Sequence, residues 1–182
     1  FVPIDLTLYH NDCKAWEVFR KNKTIGLFIG DYFARPSKRS GAWCSAFQSQ
    51  AKFPTVQKPI VLNVCNFAKS SPALLSFDDA QTLFHEFGHA LHQLLSNVTY
   101  EPMSGTSVSR DFVELPSQLF EHWLTVPDVL KKFALHYETK IPISDELIER
   151  IKGASNYDMG YQTVEYTSSA LVDLYFHLSD TD

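Results

Sequence analysis

The stretch Ser76-Phe77-Asp78-Asp79-Ala80-Gln81-Thr82-Leu83-Phe84-His85-Glu86-Phe87-Gly88-His89-Ala90-Leu91-His92-Gln93-Leu94-Leu95-Ser96 divides this chain into two kinds of sequence. Ser76 followed three residues later by Asp79 has the spacing of a capping box. Apolar residues at 83, 84, 87, 91, 94 and 95 then recur with helical period, so a helix is expected from Ser76 to about Ser96. Inside it lies His85-Glu86-Phe87-Gly88-His89, an HExxH motif in the context the motif requires. At 3.6 residues per turn, His85 and His89 differ by about 40° around the axis and about 6 Å along it, so both imidazoles can converge on one ion. Glu86 falls on the same side, within reach of a water on that ion.

Upstream of this helix the chain reads as strands. Residues 16–20 and 25–33 flank the polar turn Lys21-Asn22-Lys23-Thr24, residues 42–49 follow a loop containing Pro, Ser and Gly, and 60–65 form a short β-branched run. A β-meander is the simplest arrangement of these. Downstream, further helices are expected at about 111–124, 127–138, 144–153 and 158–178, with their Phe and Leu positions in the core. The expected architecture is α+β: a strand-rich part at 1–70 and a helical part at 76–182, within a single domain of 182 residues.

Composition narrows the function classes. A net charge of −5 provides no basic field for nucleic acid or anionic membrane. No apolar run reaches the length of a membrane span, and the first residues lack a signal-peptide pattern. The three cysteines, Cys13, Cys44 and Cys65, have neither disulfide-framework nor CxxC spacing, which fits a reducing intracellular compartment such as the cytoplasm. The chain starts at Phe1 and stops after an amphipathic segment, so it is expected to be part of something longer.

Hydrolytic zinc sites use three protein ligands and leave a position for water. A third ligand must therefore come from outside the helix, and Glu114 is the candidate. It lies 25 residues beyond His89, after Ser104-Gly105-Thr106, which has the turn chemistry to bring the chain back. Asp111 could orient a ligand histidine or cap the helix carrying Glu114, and the cap is the favoured role. His92 is about 10.5 Å along the axis from His85, too far to share one ion, and reads as a hydrogen-bonded structural histidine. Glu121 and His122 read as a solvated or core-edge pair. Arg35, Lys38 and Arg39 read as a solvated loop. Gly88 has a cost of about 1 kcal/mol within a helix, which close approach of another element would explain.

The strings His85-Glu86-Phe87-Gly88-His89-Ala90-Leu91-His92, Ser104-Gly105-Thr106 and Arg110-Asp111-Phe112-Val113-Glu114-Leu115-Pro116-Ser117-Gln118 resemble the thimet oligopeptidase family of metallopeptidases. Gly41-Ala42-Trp43 and Glu121-His122-Trp123 point toward its peptidyl-dipeptidase branch. The resemblance implies a zincin-like catalytic core, one Zn2+ held by His85, His89 and Glu114, Glu86 as general base, and short peptides as substrates. It also implies that the remainder of a parent chain packs on this core, since the family's other channel wall and its substrate-binding tyrosine segment lie outside these residues. Two other readings compete: a zinc-binding fragment with little or no activity, and an interaction domain whose HExxH is incidental.

Overall fold

The computed structural model describes residues 1–180. The chain forms two compact units, Phe1–Val126 and the segment from Pro127 onward. The first unit contains a five-stranded sheet: β1 (Val2–Ile4), β2 (Lys14–Arg20), β3 (Lys23–Phe33), β4 (Trp43–Gln48) and β5 (Ile60–Phe67), in the spatial order β1-β2-β3-β5-β4. β2 and β3 form the expected hairpin, turned at Lys21 and Asn22, both with positive φ, as a tight two-residue hairpin turn requires.

The sheet is not a meander. β5 pairs parallel with β3, with Phe28 opposite Val61 and Gly30 opposite Asn63, while β4 takes the outer edge antiparallel to β5. The reason lies in burial. β3 and β5 are covered on both faces, so they belong in the middle, whereas β4 carries the exposed Ser45, Ala46 and Phe47 and is suited to an edge.

One face of the sheet closes over Cys13, Ala15, Ile29, Leu62 and Val64. The other places Val18, Phe28 and Val61 beneath Ala90 and Leu94 of α1 (Phe77–Leu94). Leu94 is 2% exposed and Ala90 and Val61 are fully buried. A side chain the size of leucine contributes about 1.5–3 kcal/mol when buried in this way. This packing decides which face of α1 remains available: with Ala90 and Leu94 on the sheet, His85 and Glu86 border an open groove. Ser76 caps the helix as expected, its hydroxyl accepting from the Asp79 N–H while the Asp79 carboxylate accepts from the Ser76 N–H.

The helix expected at 111–124 is shorter. Residues through Glu114 are turns, α2 runs Leu115–Glu121 with Pro116 in its first turn, and a 3-10 turn covers His122–Thr125. Proline is tolerated only where a helix begins, so Pro116 sets that start. The reversal before it uses Gly105, whose φ of 57° suits glycine.

The second unit contains α3 (Pro127–Phe133), α4 (Asp145–Ala154) and α5 (Met159–Leu178). α3 ends earlier than residue 138, where the chain passes into a turn closed by the His136 N–H to the Ile141 carbonyl. Leu130 and Ile148 are buried, and Lys131 pairs with Asp145 at 2.6 Å. α5 has no buried residue, and Tyr161, Val164, Leu171 and Phe176 are all exposed. The expectation of a core role for its apolar positions is therefore not met within these residues. Among the described residues no helix is long and apolar enough to cross a membrane, and all three cysteines are free.

Candidate metal centre

The site is built where α2 crosses α1. A Cβ on Gly88 would lie 2.6 Å from the Ser117 Cα and 2.8 Å from the Pro116 carbonyl oxygen, so only glycine lets the α2 backbone approach this closely. Phe120 packs on Phe84 and Phe87 beside it, with ring centroids 5.5 and 5.8 Å apart. The glycine inside the motif thus sets the distance between the helix bearing the histidines and the segment bearing the acids.

At that distance the three expected residues meet. Glu114 Oε2 lies 3.2 Å from His85 Nε2 and 3.0 Å from His89 Nε2, and one ligand atom from each residue falls within 4.8 Å of the others. The imidazoles stand edge to face, 4.9 Å between centroids. Ser117, fully buried, donates its hydroxyl to Glu114 Oε2 at 2.8 Å and fixes that carboxylate from behind.

The electrostatics suit cation binding. Burial lowers the pKa of His89, with His85 assisting and Glu114 opposing, so the neutral imidazole that a metal needs is favoured. Partial burial would raise Glu114, but the Ser117 hydroxyl and the two imidazoles hold it below the ordinary carboxylate range. Glu86 is 7% exposed; burial, with the Glu114 charge adding to it, pushes its pKa up against the opposing influence of His85. Its groove, about 390 Å3, is lined also by Ala42, Asp78, Gln81 and Thr82.

Other residues stand differently from the sequence reading. Asp111 is exposed, contributes no cap to α2 and makes no side-chain hydrogen bond among the described residues. Glu121 is no solvated surface acid: its Oε1 is 2.6 Å from His85 Nδ1, and its Oε2 accepts from Gln81 Nε2 at 2.7 Å. The signal for Glu121 was its spacing, seven residues or about two helical turns from Glu114 and so on the same face. His122 is exposed. His92 has a buried Nδ1 without a hydrogen-bond partner, against the expectation of a bonded ring, and packs edge-on to Phe112. Arg35 and Lys38 are not a solvated loop, since both bind the buried Asp31.

Comparison with known proteins gives the family. The profile of peptidase family M3 matches residues 3–182. Dipeptidyl carboxypeptidase of Escherichia coli is 45% identical over 95% of the chain, oligopeptidase A of the same organism is 36% identical over 95%, and the mitochondrial intermediate peptidase of Arabidopsis thaliana is 34% identical over 93%. The chain spans about a quarter of the length of these relatives, 26%, 26% and 24% respectively. The chain belongs to peptidase family M3.

Proposed function

We propose, with membership of peptidase family M3 as the premise, that this chain carries the catalytic centre of a zinc metallopeptidase acting on short peptides. The observation that carries the reading is the meeting of Glu114 Oε2 with the Nε2 atoms of both motif histidines, 3.0 and 3.2 Å away, from a separate segment. Two imidazole nitrogens and one carboxylate oxygen are a donor set that fits zinc and leaves a position for water. His85, His89 and Glu114 would hold the ion. Zinc, when bound, supplies an acidified water and a Lewis acid for the scissile carbonyl.

The remaining chemistry belongs to side chains of this chain. Glu86, next to a ligand and absent from the ligand set, takes the proton from the attacking water and returns it to the departing amine. Its raised pKa makes it a better proton acceptor than a surface glutamate. Ser117 keeps Glu114 in place. The higher identity to dipeptidyl carboxypeptidase than to oligopeptidase A favours removal of C-terminal dipeptides over internal cleavage.

A second reading has its own support. The Glu114 side chain is 48% exposed and α5 is unburied, so the segment could hold zinc while hydrolysis requires more protein around it. Hydrolysis of a quenched fluorescent short peptide, with and without chelator and beside Glu86→Gln, separates the two. The first reading expects chelator-sensitive cleavage that falls by about 10²–10⁴-fold in the Gln variant. Zinc retained at one per chain without cleavage favours the second, and a Glu86→Gln chain as active as the parent overturns the assignment of the base.

A further inference from the structure

We propose that Asn66 is a positioning residue of the substrate groove: its side-chain amide clamps the loop that enters β4 and so sets the Gly41-Ala42 wall beside His85 and Glu86. This rests on the peptidase reading above and extends it to a residue of β5, outside the motif and outside the ligand set.

The loop from Ala34 to Ala42 joins β3 to β4 and must cross the C-terminal end of β5, which lies between them in the sheet. It is fastened there along its whole length. The Ala34 N–H donates to the Phe67 carbonyl at 3.0 Å. The Lys38 ammonium donates to the Cys65 carbonyl. Asn66 Nδ2 then donates to the carbonyls of Arg39 and Gly41, each at 2.7 Å. A side-chain NH2 carries two hydrogens, so both bonds are made at once.

The Asn66 clamp acts where the backbone ladder stops. The register that sets Trp43 opposite Val64 and Cys44 opposite Asn63 would set Gly41 opposite Asn66, but β4 begins only at Trp43. Gly41 stands at φ 91°, outside strand conformation, and a Cβ there would meet nothing within 4 Å. Its glycine therefore serves the backbone turn and not a close contact. The Gly41 carbonyl and the Ala42 nitrogen share one rigid peptide plane, so holding that carbonyl orients the entry to Ala42. Ala42 in turn lines the groove with His85 and Glu86.

Two variants and three measurements on the full chain test this. Asn66→Asp keeps the shape, removes both donors and turns a charge toward two carbonyl oxygens. In hydrolysis of a short peptide, at a temperature where the variant is folded, it should raise KM about fivefold or more, the equivalent of one net hydrogen bond of about 1 kcal/mol. Its kcat should stay within about twofold of the parent, the pattern of lost substrate binding with the chemistry intact. Gly41→Ala acts on the same clamp from the other side, only through the positive φ, and should give the same split. Zinc affinity by competition with a fluorescent chelator should remain within about twofold of the parent in both variants, since all three ligands are kept. Hydrogen exchange followed by mass spectrometry should quicken across residues 39–48 in both. A KM within about twofold of the parent in Asn66→Asp, or a fall in zinc affinity as large as the loss of hydrolysis, overturns the proposal. A parent chain without chelator-sensitive hydrolysis overturns the function reading instead, and exchange then decides the clamp: unchanged exchange across 39–48 in Asn66→Asp overturns it.

Discussion

Two clusters of charge sit in the first unit, and they are built on opposite plans. Asp31, 2% exposed on β3, receives both guanidinium nitrogens of Arg35 at 2.7 and 2.8 Å, the Tyr9 hydroxyl at 2.9 Å and the Lys38 ammonium at 3.2 Å. Lys38 also donates to the Asp31, Phe33 and Cys65 carbonyls. There the protein supplies the cations. At the α1–α2 crossing three carboxylates, Glu86, Glu114 and Glu121, gather around two imidazoles, and no lysine or arginine pairs with them among the described residues. In the first cluster the carboxylate is fully paired by the protein's own cations, whereas the carboxylates of the second have none. That difference separates a structural device from a binding site better than burial or acidity alone.

The comparison breaks most sharply under paired substitutions. Glu114→Ala or His89→Ala should abolish zinc retention through gel filtration while leaving the fold intact, because two ligands do not hold the ion as three do. Asp31→Asn should do the reverse, leaving zinc at about one per chain while destabilising the protein by about 3 kcal/mol or more, since it strands Arg35 and Lys38 against a buried site. Loss of zinc in Asp31→Asn at a temperature where it remains folded would mean that the two clusters are coupled and the distinction is false.

The same aspartate gives a pH test. Burial raises the Asp31 pKa, but the hydrogen bonds from Arg35, Tyr9 and Lys38 outweigh it and carry the carboxyl down to about 2. A folded-state pKa below the unfolded value of about 3.9 means the unfolded chain takes up the proton first as pH falls. The stability this group contributes is present above about pH 4 and is lost as pH drops toward 2. Urea midpoints across that window should fall more steeply for the parent than for Asp31→Asn; parallel curves would contradict this.

The two clusters also differ in how visible they are in sequence. α1, its capping box and the 85–89 spacing are local, so periodicity and hydrogen-bond chemistry reveal them, and Glu114 stands in a string recognisable beside the motif. The Asp31 cluster is hidden for a different reason: Arg35 and Lys38 lie only four and seven residues from Asp31, but the burial that makes the pairing matter is tertiary, with Tyr9 and the Cys65 carbonyl, brought alongside by the β3–β5 pairing, closing over a stretch that otherwise resembles a solvated loop. That parallel pairing is itself hard to read, since β4 lies between its partners in sequence but at the edge in space. Glu121 was missed because α2 ends there, and the end of a helix looks like surface.

Gly88 is where the fold and the site share one atom's worth of space. A methyl group there must displace the Ser117 Cα or the Pro116 carbonyl, both backbone, so α2 has to move. Gly88→Ala should cost about 1–3 kcal/mol as an overpacking change, despite alanine's better helix propensity. Zinc affinity should fall as well, because Glu114 and Glu121 travel with α2. A stabilised variant with parental zinc affinity would show that the crossing tolerates separation.

The smallest expected effect belongs to Ser117→Ala. The hydroxyl donates to Glu114 Oε2 at 2.8 Å and contacts the Glu114 carbonyl at the same distance, and Ser117 is fully buried. Alanine leaves the α1–α2 contact nearly unchanged, so stability should shift little, but the carboxylate loses its rear anchor. One net hydrogen bond contributes about 1 kcal/mol, which corresponds to about fivefold in zinc affinity. The same chelator competition resolves a change of that size. A fivefold loss in Ser117→Ala with an unchanged melting temperature would locate the effect in ligand orientation, whereas a loss matched by destabilisation would return Ser117 to the packing of the crossing.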